Sequence, residues 1–153
     1  MIVHLSLTSL AGRTGDELGI SDWWPITQER VNQFADATGD HQWIHLDAAR
    51  AASESPYGAT IAHGFLTLSL VTVLLQETIA VDGAGMIING GCDRVRFVSA
   101  VPVGSRLRGR FTLAAVEDKG DSLQVTWGVV MEREGNEKPC VVLDWKVRYY
   151  RQP

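Results

Sequence analysis

Asp40 and His45 stand five residues apart in the run Gly39-Asp40-His41-Gln42-Trp43-Ile44-His45, and His63-Gly64 follows eighteen residues after His45. A carboxylate and an imidazole at this spacing can work as an acid/base pair, because a His and an acid suitably placed exchange protons near neutral pH. The first segment is too rich in glycine and turn formers to be the middle of a helix. The second ends on Gly64, which opens a long apolar stretch with the character of a helix. The first N–H groups of a helix lack intrahelical partners and sit at the positive end of its dipole. They can therefore receive a carbonyl oxygen that is gaining charge. An acid/base pair beside such a helix start points to an enzyme.

The elements that must position these groups are legible from pattern. Trp23-Trp24-Pro25-Ile26 reads as a short strand or edge segment after an opening helix. Thr27 is placed to cap a helix, with Gln28 and Glu29 in its first turn, Val31, Phe34, Ala35 and Thr38 on one face, and Gly39 as its stop. Asp47 caps a short helix over Ala48–Ser53, and Pro56 and Gly58 mark a loop. From Gly64 to about Ala80, apolar residues cover nearly the whole circumference, so this helix must be wrapped on most sides.

The second half supplies the wrapper. Period-two alternation predicts strands over about Met86–Val98, Ser105–Glu117, Ser122–Arg133 and Lys138–Arg151. In the first of these, Val95 and Phe97 point one way and Arg94 and Arg96 the other. Asp118-Lys119-Gly120-Asp121 and Glu134-Gly135-Asn136-Glu137 have the chemistry of hairpin turns. Antiparallel strands around one buried helix define an α+β fold, taken as a single domain over 1–153.

Composition narrows the class. A chain of 153 residues with 45% apolar and 21% charged residues is long enough for a sizeable core and is not of disordered type. A net charge of −4 argues against nucleic acid as a partner. Cys92 and Cys140 lie far apart and suit a reducing compartment. The apolar run Phe65–Leu75 is too short for a bilayer, and the N-terminus lacks a signal-peptide pattern. The expectation is a cytoplasmic protein that contacts neither membrane nor nucleic acid.

Gly39 through His45, together with Ile61-Ala62-His63-Gly64, resembles the hydratase-2 signature of the MaoC-like dehydratases, the (R)-specific enoyl-CoA hydratases. Phe97 and the Pro102-Val103-Gly104-Ser105 turn are similar to an inter-strand loop of that family. Where the commoner signature has Asn-Pro, this chain has Gln42-Trp43, which resembles the nodulation protein N subgroup. The resemblance implies a hot-dog fold, a long helix wrapped by a curved antiparallel sheet, dimerising edge to edge as a homodimer. It implies interconversion of trans-2-enoyl and (3R)-3-hydroxyacyl thioesters of coenzyme A or acyl-carrier protein, with no cofactor. His45 would be the base on water, Asp40 would orient that water and relay a proton, and the Gly64 amide would receive the thioester oxygen. Trp43 would line the pocket mouth. His63 would orient or cap the loop beside the substrate, and Ser69 or Thr72 would supply a hydroxyl facing the site.

Other readings remain open at this level. A thioesterase on the same fold would also use a carboxylate and a helix start. A non-catalytic thioester-binding subunit is the alternative from another class. His41 reads as a solvent-facing neighbour of Asp40. Arg106, Arg108 and Arg110 form a stripe that is either a solvated sheet face or a cradle for nucleotide phosphates. Asp40, His41, His45 and His63 are the one plausible ligand cluster, but their spacing matches no metal motif, so no metal is expected.

Overall fold

A computed structural model describes residues 1–153. The chain opens on strand β1 (Val3–Ser6), a 3-10 turn over Leu10–Arg13, and strand β2 (Glu17–Ile20). The expected opening helix is thus replaced by strands. Leu5, Leu7, Leu10 and Leu18 still enter the core, but from extended and turn backbone. The cause is distant: β1 pairs in parallel with a strand after residue 78, and no local pattern reports such pairing.

The next elements follow expectation closely. Strand β3 (Trp24–Pro25) leads into helix α1 (Gln28–Thr38). Thr27 accepts a hydrogen bond from the Arg30 N–H, and Gly39 ends the helix at φ 85°, a left-handed conformation that suits glycine. Val31 and Ala35 are buried and Phe34 half-buried, whereas Thr38 is exposed and its hydroxyl bonds back to the Phe34 carbonyl. Helix α2 (Trp43–Leu46) is a single turn that the Gly-rich run did not announce. Helix α3 (Ala48–Glu54) starts on Asp47, whose carboxylate accepts from the Arg50 N–H.

The apolar helix comes in two consecutive pieces, α4 (Gly64–Ser69) and α5 (Val71–Gln76). The Ser69 hydroxyl donates to the Leu66 carbonyl at 2.7 Å, and the Leu70 N–H reaches both Leu66 and Leu68. Such back-bonding competes with the regular ladder and accounts for the break at Leu70. The helix ends earlier than the apolar run: Ile79 and Ala80 belong to strand β4 (Ile79–Asp82), the partner of β1. Leu66, Leu70, Val71, Leu74 and Leu75 are buried, while Phe65 is 71% exposed.

Four long strands complete the fold: β5 (Ala84–Phe97), β6 (Arg106–Asp118), β7 (Ser122–Arg133) and β8 (Val141–Arg151). The sheet order is β2-β6-β7-β8-β5, antiparallel, with β3 also on β6. Residues of β7 and β8 alternate buried and half-buried along their length. Trp127 lies opposite Trp145 and Val129 opposite Leu143, all facing the helix side of the core. The Trp127 indole N–H donates to the Tyr149 hydroxyl at 3.1 Å, and burial pushes that phenol up to about 12. Strand β5 departs from its expected alternation. A bulge between Asp93 and Arg96 puts Arg94 at φ 52° and breaks the two-face pattern, so Phe97 is half exposed rather than directed with Val95 into the core. No helix is long and apolar enough to cross a membrane. The whole is a hot-dog fold, helices packed in the hollow of a curved antiparallel sheet.

Candidate active site

The two sequence segments meet at the head of α4. Their junction is held by backbone bonds between strand-like stretches: Ala62 N–H to the Val101 carbonyl, Val103 N–H to Thr60, and Ile61 N–H to Ile44. These fix the loop before α4 against both the β5–β6 connection and α2. Gln28 adds a side-chain tie, donating to the His45 carbonyl at 2.8 Å and accepting from the Thr60 hydroxyl at 2.7 Å. Nothing in the sequence marked Gln28, because its partners are 17 and 32 residues away.

His45 is 6% exposed, and its Nδ1 lies 2.7 Å from the Ile61 carbonyl oxygen. A carbonyl only accepts, so Nδ1 carries the proton and Nε2 presents a lone pair. Burial holds the imidazole below its ordinary 6.5, and His63 lowers it further, against the opposing pulls of the Ile61 hydrogen bond and Asp40. A neutral ring with a free Nε2 is the form a general base needs.

Asp40 is exposed in the loop between α1 and α2, where its carboxylate accepts from the Gln42 N–H at 3.3 Å. One ligand atom from each of Asp40, His45 and His63 lies within 4.8 Å of the other two. That gap between carboxylate and imidazole fits one water making two hydrogen bonds of roughly 2.8 Å. The same trio suits a metal poorly. His63 Nε2 already donates to the Asp40 carbonyl and its Nδ1 is fully buried, so His63 offers no open ligand atom.

His63 is 3% exposed and packs against both His45 and Phe34, whose centroid lies 4.8 Å away. Its Nε2–H donates to the Asp40 carbonyl at 3.0 Å. It therefore packs behind the acid/base pair rather than on an open substrate surface. Gly64 is the first residue of α4, and the first ladder bond runs from the Thr67 N–H to the His63 carbonyl. The Gly64 N–H lies ahead of that ladder. A Cβ at Gly64 would sit 2.9 Å from Cε1 of Phe97, so the missing side chain makes room for a ring as well as for a ligand.

The remaining sequence candidates separate. Thr72 lines a largely apolar cavity of about 350 Å³ with Leu75, Ile79, Ile87, Trp145 and Tyr149. A second cavity of about 250 Å³ includes Gly64, Thr67, Phe97, Cys140 and Val141. Ser69 is exposed and its hydroxyl is spent on the Leu66 carbonyl, so of the two hydroxyls Thr72 is the one in a cavity. Trp43 is half-buried at the start of α2, with the Arg50 guanidinium 4.1 Å over its ring. His41 faces solvent and donates to Asp36 at 3.0 Å. The arginine stripe is committed to cross-strand ion pairs, Arg106 with Glu134, Arg108 with Glu132, and Arg110 with Glu17. That makes it a solvated sheet face, not a free phosphate cradle.

A hot-dog fold carrying an imidazole, a carboxylate and a helix start at one point fits a dehydratase/hydratase class of protein. Family comparison agrees. Residues 9–135 match the MaoC like domain, and the chain belongs to the MaoC-like dehydratase family. It is 50% identical over 145 residues to 3-hydroxyacyl-thioester dehydratase Z of Mycobacterium tuberculosis, covering 94% of this chain and 95% of that one. It is 46% identical over 144 residues to nodulation protein N of Rhizobium leguminosarum bv. viciae, covering 93% and 89%. Among solved structures, the MaoC-like dehydratase of Rhodospirillum rubrum superposes with a TM-score of 0.76 at 26% identity, covering 97% and 99%.

Proposed function

We propose that this protein interconverts trans-2-enoyl and (3R)-3-hydroxyacyl thioesters by adding or removing water. The observation that carries the reading is a buried His45, its Nδ1–H held by the Ile61 carbonyl, with a ring nitrogen within 4.8 Å of an Asp40 carboxylate oxygen. In the hydration direction, His45 takes a proton from water as its oxygen bonds to Cβ. The electron pair of the double bond moves toward the thioester oxygen, which the Gly64 N–H receives. Asp40 orients the water and relays to Cα the proton that His45 has taken up, so that H and OH are added overall. Each proton transfer contributes roughly 10²–10⁴-fold, and the amide about 3 kcal/mol.

Both cavities are lined in part by the α4–α5 helix, Gly64 and Thr67 in one and Thr72, Leu75 and Gln76 in the other. Eight residues separate Gly64 from Thr72, about 12 Å of helix. An acyl chain held by its carbonyl at Gly64 would run toward Thr72, and Trp43 would stand at the mouth. The carrier is coenzyme A or acyl-carrier protein. The names of the relatives, a 3-hydroxyacyl-thioester dehydratase among them, support the substrate class.

The working form is a homodimer, joined through β5. That strand ends the sheet with an unpaired edge, and Met86, Ile87 and Ile88 on it are 51%, 51% and 45% exposed. An apolar edge of this length is an aggregation hazard unless a second strand covers it. Two free thiols, one of them exposed, suit a reducing cytoplasm.

The test is hydration of crotonyl-CoA by purified protein, with product stereochemistry determined and Asp40→Asn alongside. Formation of the (3R) alcohol, lost in the variant, is the expected outcome. A folded dimer that turns over neither crotonyl-CoA nor a longer enoyl-CoA would sink the reading for coenzyme A thioesters.

A further inference from the structure

We propose that His63 is a positioning residue that locks the Asp40 loop and the His45 ring together at the head of α4. The proposal rests on the hydratase reading of Asp40 and His45 given above. Three contacts of one side chain carry it. Its Nε2–H donates to the backbone carbonyl of Asp40 at 3.0 Å, which ties down the exposed loop that bears the carboxylate. Its ring stacks on His45 at 3.8 Å and 25°, bracing one face of the imidazole whose Nδ1 bonds the Ile61 carbonyl. Phe34 of α1 also packs on it, centroids 4.8 Å apart and tilted at 53°.

A cap or filler at this position would not need such an arrangement. Asp40's own other bonds are long, 3.3 Å from the Gln42 N–H to its carboxylate and 3.5 Å from its N–H to Thr38. The tautomer of His63 is set by the Asp40 carbonyl, so Nδ1 is an acceptor. It is fully buried and has no hydrogen-bond partner. An unmet buried acceptor is costly, and an apolar residue of similar size would avoid it. The imidazole is therefore retained for its Nε2 donor and its flat face, not for packing alone. The charged and titratable groups that influence His45 are His63 on the α4 side and Asp40 on the loop side.

Three variants separate the roles. His63→Gln keeps a donor for the Asp40 carbonyl, His63→Phe keeps the ring and drops the donor, and His63→Leu drops both. Expected results are a kcat lower by about 10²-fold in His63→Leu with KM little changed, since misplacement on the ångström scale costs that much. His63→Gln should recover most of the loss. The His45 titration, followed by NMR and by the acid limb of kcat/KM, should move upward in both His63→Leu and His63→Phe, since each removes the imidazole that lowers it. Folded His63→Leu protein with unchanged turnover and an unchanged His45 titration would overturn the proposal, as would equal damage in His63→Gln and His63→Leu. If His63→Leu does not fold, the His63→Gln and His63→Phe pair decides: a lower kcat in the second alone supports the tether. If the parent protein has no turnover, the hydratase reading fails, while the NMR titration of His45 still tests the contact with His63.

Discussion

The ring of Phe97 occupies the space that a side chain at Gly64 would need, with Cε1 only 2.9 Å from where a Cβ would stand. Phe97 follows the bulge at Arg94, and Gly64 opens the helix, so the edge strand and the site meet at this contact. Half of Phe97 is exposed, and its ring can swing away. Gly64→Ala should therefore cost little stability, on the order of 1 kcal/mol, yet push the ring toward the substrate entry and lower kcat/KM clearly. Adding Phe97→Ala to Gly64→Ala should recover part of that loss. Steady-state kinetics on the two singles and the double measure the coupling, and strict additivity would show that the contact does not matter.

Asp40→Asn removes the charge but keeps an oxygen for the Gln42 N–H. Turnover should fall 10²–10⁴-fold while the thermal midpoint stays within a few degrees, because the side chain is exposed and no core contact is lost. A variant with near-parent kcat would remove Asp40 from the proton path.

The lowered pKa of His45 predicts both activity and stability against pH. The base works unprotonated, so kcat/KM should fall only below the ordinary 6.5, with a midpoint displaced to the acid side. For stability, the unfolded chain binds a proton at His45 more readily than the folded one. Stability from this group is thus fully present above about 6.5 and is lost as pH falls from there through the folded value. His45→Gln should flatten that part of the curve in urea unfolding measured at several pH values. An unchanged slope would assign the dependence to other groups.

Ile87 tests the edge. Its side chain is half exposed on β5, so Ile87→Lys should leave the fold intact but convert the proposed dimer to monomer in sedimentation velocity runs. A variant that remains fully dimeric would place the interface elsewhere.

Leu74 is fully buried beneath the sheet. Leu74→Ala should cost roughly 2–5 kcal/mol by denaturant unfolding. A cost below 1 kcal/mol would mean that the helix is not the centre of the core.

The signature run from Gly39 to His45, the α1 and α3 caps at Thr27 and Asp47, and strands β6, β7 and β8 were legible in the chain itself. Their causes are local. A cap is one side chain serving an N–H three residues on, and a strand with one buried face repeats every two residues. The sequence alone therefore determined the fold class, the family resemblance and the two residues proposed for the chemistry. Tertiary structure decided the rest. It turned the opening segment into β1 and β2, because β1 is completed by β4 more than seventy residues later. It broke the long helix at Leu70 and took Ile79 and Ala80 for a strand. Above all, it chose the tautomer of His45 through the Ile61 carbonyl and set His63 against both members of the pair. Those contacts join groups 16 to 23 residues apart. Their geometry depends on how loops close over a packed core, which local periodicity does not encode.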